Sequence, residues 1–304
     1  MDEAIAELYS VFYCITSLRL KETIEEDHPQ LLPTLSDSLD KQVNKAYRLF
    51  VKKVLREELS AKPLGILRPG VLQVMHSLYN LQKAKKVAHV VIYSNNGTLV
   101  CLEFIRDLIH EYLGTTTLIG ECVHRMHPLR NEHETAKMGL HDKWDKTWAS
   151  LRKVLIEGKC KAPSTLSVND VYFFDDLDHK DLHRAIGNHY YQVPPYEFKA
   201  SFERLGEIYQ NAVEEANVSM VQFAPYMTMI YGTGFSSDPF ASSIQHIIAL
   251  FLASTEHTAK RDELPPSYQK DKGITMMKDA IHRVQQRTIR KKTRGRRTYK
   301  RRAM

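Results

Sequence analysis

The sequence predicts an α/β protein. It should hold a Rossmann-like, mostly parallel five-stranded sheet covered by helices, then a helical C-terminal extension and a basic tail. Three observations carry this expectation. Short apolar runs alternate with longer stretches whose apolar positions repeat at helical spacing. Two of those runs, "VVIYSNNG" (90–97) and "VYFFDDLDH" (171–179), stop abruptly in small polar or acidic clusters. Residues 283–304 contain eleven Lys or Arg and no acid.

The elements follow in order. "AELYSVFYCITSL" (6–18) is apolar, aromatic and β-branched, which predicts a strand over 9–15. Residues 21–35 are polar with two prolines and read as loop. Over 36–60, Leu39, Val43, Ala46, Leu49, Phe50, Val54 and Leu55 mark an amphipathic helix, inserted after strand 1 and capped by Ser36 or Asp37. Pro69-Gly70 opens a second helix, 68–85, with Val71, Val74, Met75, Leu78 and Leu81 on one face. A buried strand is expected over 87–93, a helix over 99–113 and a short strand over 116–121. Residues 123–141 read as a His-rich polar connection, and 145–158 as a helix closed by Gly158. The last strands are expected at 170–175 and 189–193, with a short helix ended by Gly187 between them. Further helices are expected at 200–216, 243–260 and 273–290. This organisation places an α/β domain over 1–199, a helical extension over 200–282 and a disordered basic tail over 283–304.

Bulk properties narrow the function classes. The chain has 304 residues, 43% of them hydrophobic, enough for one large domain with an extension. No run approaches the roughly 20 apolar residues of a membrane span. The acidic start "MDEAIAELYSVF" does not read as a signal peptide. Cys14, Cys101, Cys122 and Cys160 are far apart, which fits reduced thiols in a cytoplasmic or nuclear setting. The net charge is +7, and without the eleven tail cations residues 1–282 carry −4. The tail, with Arg290, Lys291, Lys292, Arg294, Arg296, Arg297, Lys300, Arg301 and Arg302, is therefore the expected contact for nucleic acid or an acidic surface. The helical extension is the expected contact for other proteins.

In open α/β sheets, ligands bind beyond the carboxyl ends of the strands. Ser94 and Asn95 offer a hydroxyl and an amide for a phosphoryl oxygen. Asp175 and Asp176 offer hard oxygen ligands suited to Mg²⁺. Lys146, early in the preceding helix, can neutralise phosphate charge. Each tip alone reads equally well as a helix cap: Ser94 or Asn95 before the helix at 98, and Asp175, Asp176 or Asp178 before the helix at 179. Other clusters point elsewhere. Cys122, His124, His127 and His133 match no zinc spacing and read as a polar loop. His179 and His183, at i, i+4 after the acidic tip, could touch a ligand but read first as surface or capping residues, and Trp144 and Trp148 read as core anchors.

Taken together, "LRPGVLQVMHSLYNLQKAKKVAHVVIYSNN" and "VYFFDDLDHKDL" resemble the haloacid dehalogenase (HAD) superfamily. Within it they are most similar to the capless branch of RNA polymerase II C-terminal-domain phosphatases. The resemblance spans roughly residues 9–196. It implies sheet order 5-4-1-2-3 and Mg²⁺-dependent phosphoryl transfer. It also implies that the first strand should end in D-x-D, with nucleophile and general acid/base. Here Tyr13 and Ile15 stand at those positions. A phenol is a poor substitute nucleophile and isoleucine moves no proton. The expected protein is thus a degenerate HAD-like binding or structural component, with no catalytic residues. No cofactor is expected, and Mg²⁺ only if the pocket keeps its metal. The alternative is an active Mg²⁺-dependent phosphatase with an atypical nucleophile. "FFDD-x-x-H", "HYYQVPPYEF" and the Arg/Lys tail also resemble HAD-like proteins of large DNA viruses, which implies a place in the virion.

Overall fold

The computed structural model describes residues 14–95, 98–130, 146–196, 202–231 and 271–286. The elements, in chain order, are α1 (Leu20–Asp27), α2 (Asp37–Glu58), α3 (Val71–Lys83), β1 (Val90–Tyr93), α4 (Leu99–Leu113) and β2 (Ile119–Val123). They continue with α5 (Trp148–Glu157), β3 (Phe173–Asp175), α6 (Lys180–Ile186), β4 (Tyr190–Gln192), α7 (Phe202–Ala216), α8 (Met220–Tyr231) and α9, residues 272–286. The chain forms two compact units, each built from three segments. One comprises residues 1–67, 100–112 and 198–264; the other comprises 68–99, 113–197 and 265–304.

The first unit is helical in its described residues. Ser36 caps α2 by accepting from the Leu39 amide, and Leu39, Val43, Ala46, Phe50 and Val54 form its buried stripe. That stripe packs on α7, whose Leu205, Ile208, Ala212 and Val213 are buried. Phe50 stacks on Phe104 of α4 at 5.7 Å and meets Tyr209 edge-on at 6.3 Å. Arg19 runs through this layer, 2.8 Å from Glu103 and 3.0 Å from Glu22. Tyr47 donates to Asp107 at 2.8 Å.

Two expectations fail in this unit. The predicted strand over 9–15 is helical where it is described, at Cys14 and Ile15, and residues 14–18 form a buried helical turn. The Arg19 amide donates to Ile15 O, Ser17 Oγ donates to Cys14 O, and Thr23 Oγ donates to Thr16 O. These bonds satisfy the turn inside the core, where β-branched propensity alone would favour a strand. Residues 21–35, read as loop, instead form most of α1 and a 3-10 turn at Pro29–Thr34. Burial of Leu20, Thr23 and Ile24 outweighs the polar composition of α1.

The second unit holds the strands. β1 pairs with β2 in parallel, and β3 with β4 in parallel. Tyr93 lies opposite Val123, and Asp175 opposite Gln192. These are the neighbours that order 5-4-1-2-3 requires for strands 2–3 and 4–5. The expected single five-stranded sheet is not found among the described residues, which hold two two-stranded sheets. Leu151 of α5, Phe173, Leu182, Ile186 and Tyr190 form one buried cluster of this unit. Val74 and Leu81 of α3 form a second with Ile274 and Ile281 of α9. Gly70 starts α3 at φ +89°, a left-handed conformation that glycine adopts without strain. A side chain there would also press on Ile274. The predicted helix 243–260 and the tail beyond 286 lie outside the described residues. No helix of the described residues is long and apolar enough to cross a membrane.

Candidate functional site

The carboxyl ends of β1, β2 and β3 are held firmly. Ser94 N donates to Val123 O at 2.8 Å and Val193 N to Asp175 O at 2.8 Å, so each ladder continues one residue past its strand. The acidic loop after β3 is pinned from β4. Tyr190 Oη donates to Leu177 O at 2.6 Å and accepts from the His179 amide, and Gln192 donates to Asp176 O.

Lys146 joins the β1 and β3 tips. Its Nζ lies 2.5 Å from Asp175 Oδ2 and 3.2 Å from Tyr93 O. It also faces the rings of Tyr93 and Phe173, at 5.7 and 5.5 Å from their centroids. The two charged side chains are only 6% and 9% exposed. The expectation that Lys146 lies early in the helix fails: it precedes Thr147, the N-cap of α5, whose side chain accepts from Ser150 N. From that position ahead of the helix the side chain reaches both strand ends.

His179 completes the pair. Its Nδ1 accepts from the Lys146 amide at 3.2 Å, which assigns the ring proton to Nε2. Nε2 faces Asp175 Oδ1 at 3.4 Å, the outer limit of a hydrogen bond. The Leu177 amide donates to the same oxygen at 3.0 Å. Burial opposes ionisation of Asp175, yet His179, Lys146 and the Leu177 amide outweigh it and hold the carboxyl well below the usual carboxylate range. Burial pulls the Lys146 ammonium down, with Asp175 opposing.

A second cation stands at the β1 tip. Arg130 donates to Ser94 O and to Asn95 Oδ1, both at 2.9 Å, and stacks over Tyr93 at 4.8 Å. The β2 tip adds His124 and His127, whose rings meet edge-on at 6.1 Å. His127 Nδ1 accepts from Leu129 N, and its Nε2 lies 3.4 Å from the buried Glu121 carboxylate. Burial lowers the pKa of both histidines, aided by Arg130; Glu121 opposes this at His127.

The structure therefore brings together Ser94, Asn95, Lys146 and Asp175. Asp176 is exposed beside them. It does not bring Ile15 to a strand end: Ile15 is a 1% exposed core residue of a helical turn in the other unit. Tyr13 and the tail residues Arg290 to Arg302 lie outside the described residues. The helix-cap alternative does not hold at β3. The N-cap of α6 is His179 itself, and Asp178 pairs with His183 at 2.7 Å. His179, at 3% exposed, is not a surface residue, while its place at the N-cap agrees with the capping reading, although its side chain makes no cap hydrogen bond. Trp148 packs against the Leu151 cluster, while Trp144 and His133 lie outside the described residues. Arg130 is the member that the sequence did not point to, and His179 is one it offered only as a secondary ligand contact. Arg130 sits 35 residues from its partner Asn95, and no local pattern links them.

The residues present fit Mg²⁺ poorly. A carboxylate offers about four lone-pair positions, and three of Asp175's face Lys146, Leu177 and His179. A divalent ion about 4 Å from the Lys146 ammonium meets about 8 kcal/mol of repulsion at an effective dielectric constant near 20, which offsets an attraction of the same order from the Asp175 carboxylate. Among the described residues, no three His, Cys, Asp or Glu side chains converge as a metal-holding group. Comparison of the chain with family models, with curated proteins and with solved structures found no match.

Proposed function

We propose that this chain is a HAD-like protein without phosphatase chemistry, which binds a phosphate-bearing ligand at its strand tips and uses its basic tail for a polyanion. One observation carries the reading: the buried Lys146–Asp175 pair between the β1 and β3 tips. It commits the carboxylate of the acidic tip to an internal partner. Lys146 and Arg130 set two cations around Tyr93, with the Ser94-Asn95 tip alongside. Such a site holds an anion by charge and hydrogen bonds. Holding is not attack, and attack needs an oxygen nucleophile at the tip. The helical state of Cys14 and Ile15 supports the loss of the strand that would present one.

The test is turnover of an aryl phosphate with Mg²⁺ by wild type and Asp175→Asn. No turnover by either is expected. Turnover by wild type that disappears in the variant would establish the phosphatase instead. Binding of inorganic phosphate, followed by calorimetry, should be present in wild type and weakened by Lys146→Met.

A further inference from the structure

We infer that the Lys146 ammonium takes the place of a divalent cation, making the strand tips an anion receptor that works without metal. This rests on the binding reading above, but its deciding measurement is independent of phosphate.

The positions a divalent cation would need at Asp175 are already occupied. Asp175 Oδ2 is 2.5 Å from the ammonium, and Oδ1 accepts from the Leu177 amide and faces His179. Mg²⁺ and Ca²⁺ need oxygen ligands with free lone pairs. The exposed Asp176 cannot supply such a set alone. Meanwhile Nζ has three N–H donors. Two point to Asp175 Oδ2 and Tyr93 O, and the third has no acceptor among the described residues, which leaves it for a ligand in this proposal. The charge is not borrowed from solution: it is buried, anchored on both tips and flanked by two aromatic faces. Arg130, on Tyr93 as well, adds a second fixed charge. A divalent ion here is repelled by two cations and finds the Asp175 oxygens already engaged, with the exposed Asp176 as the neighbouring carboxylate, whereas an anion meets the cations as partners.

The experiment is a Mn²⁺ titration followed by electron paramagnetic resonance. Wild type should leave the free-ion signal unchanged. Lys146→Ala should take up one Mn²⁺ at least about tenfold more tightly, since one unit charge beside the ion is removed. Asp175→Asn in that background should abolish the uptake. Lys146→Gln, which keeps most of the side-chain bulk, serves if the Ala variant does not fold. Wild type that binds Mn²⁺ as tightly as the variants overturns the inference. Inorganic phosphate should bind wild type equally in EDTA and in Mg²⁺; a gain of about tenfold or more with Mg²⁺ also overturns it. Absence of phosphate binding under both conditions refutes the binding reading, and the Mn²⁺ comparison still decides the inference about Lys146.

Discussion

Replacing Lys146 by Met should destabilise the strand-bearing unit more than any other single change at its surface-facing tips. The side chains of Lys146 and Asp175 are 6% and 9% exposed, so removing the ammonium leaves a buried carboxylate. Breaking such a pair typically costs 3–5 kcal/mol. Asp175 keeps the Leu177 amide and His179, which places the expected loss near the lower end, about 3 kcal/mol. Asp175→Asn should cost less, about 2 kcal/mol, because burial already disfavours the Lys146 charge and the amine can give up its proton. The double variant should lose about 2 kcal/mol and not the sum, giving a coupling near 3 kcal/mol. Urea unfolding at pH 7 followed by tryptophan fluorescence reads this, since Trp148 packs against the Leu151 cluster of the same unit. The pH dependence has a fixed sign. The folded Asp175 carboxyl is depressed, so its contribution is complete above the unfolded value near 4 and fades as pH falls below it toward the folded value. Additive single effects, or a Lys146→Met variant within about 0.5 kcal/mol of wild type, would refute the reasoning.

Other outcomes follow from the same structure. Deleting residues 287–304 removes ten of the eleven tail cations and should sharply reduce the salt dependence of DNA or RNA binding, with unfolding unchanged; equal binding by the truncated chain, measured by fluorescence anisotropy across a salt series, would assign the contact to the body. The cut belongs after residue 286, because Val284 packs against the α3–α9 cluster and Arg283 donates to Tyr191. Gly158→Ala should cost about 1–3 kcal/mol, because a Cβ there would stand 2.4 Å from both Glu121 Oε2 and the backbone Val154 O; an unchanged urea midpoint would show that the Glu121 carboxylate and the end of α5 both shift without cost. Burial pushes the Glu58 carboxyl up to about 6, against the Ile66 and Leu67 amides that favour its charge. The folded form then holds its proton longer than the unfolded one, so stability should fall by about 2 kcal/mol between pH 4.5 and 7, a slope that Glu58→Gln removes. Cys14 and Cys101, whose thiols burial pushes up to about 12, should react with a disulfide reagent at pH 8 only on unfolding.

What the sequence determined by itself was everything written in local periodicity. The stripe from Leu39 to Leu55 produced α2 with Ser36 as its cap, and the run from Leu99 to Leu113 produced α4 at its expected bounds. Apolar runs ending in Ser94-Asn95 and Asp175-Asp176 marked two strand tips that the structure sets on either side of Lys146. Tertiary structure decided the rest. Residues 14–18 are buried on every side, and a segment with no exposed face carries no period to separate strand from helix. α1 is polar and exists because Leu20, Thr23 and Ile24 find a core. Arg130 and His179 became site residues through contacts across 35 and 33 positions, with Asn95 and the Lys146 amide. Whether Asp175 serves a metal or an ammonium depends on which donor reaches its oxygens first. That is a matter of where the chain folds back, and residue type alone does not specify it.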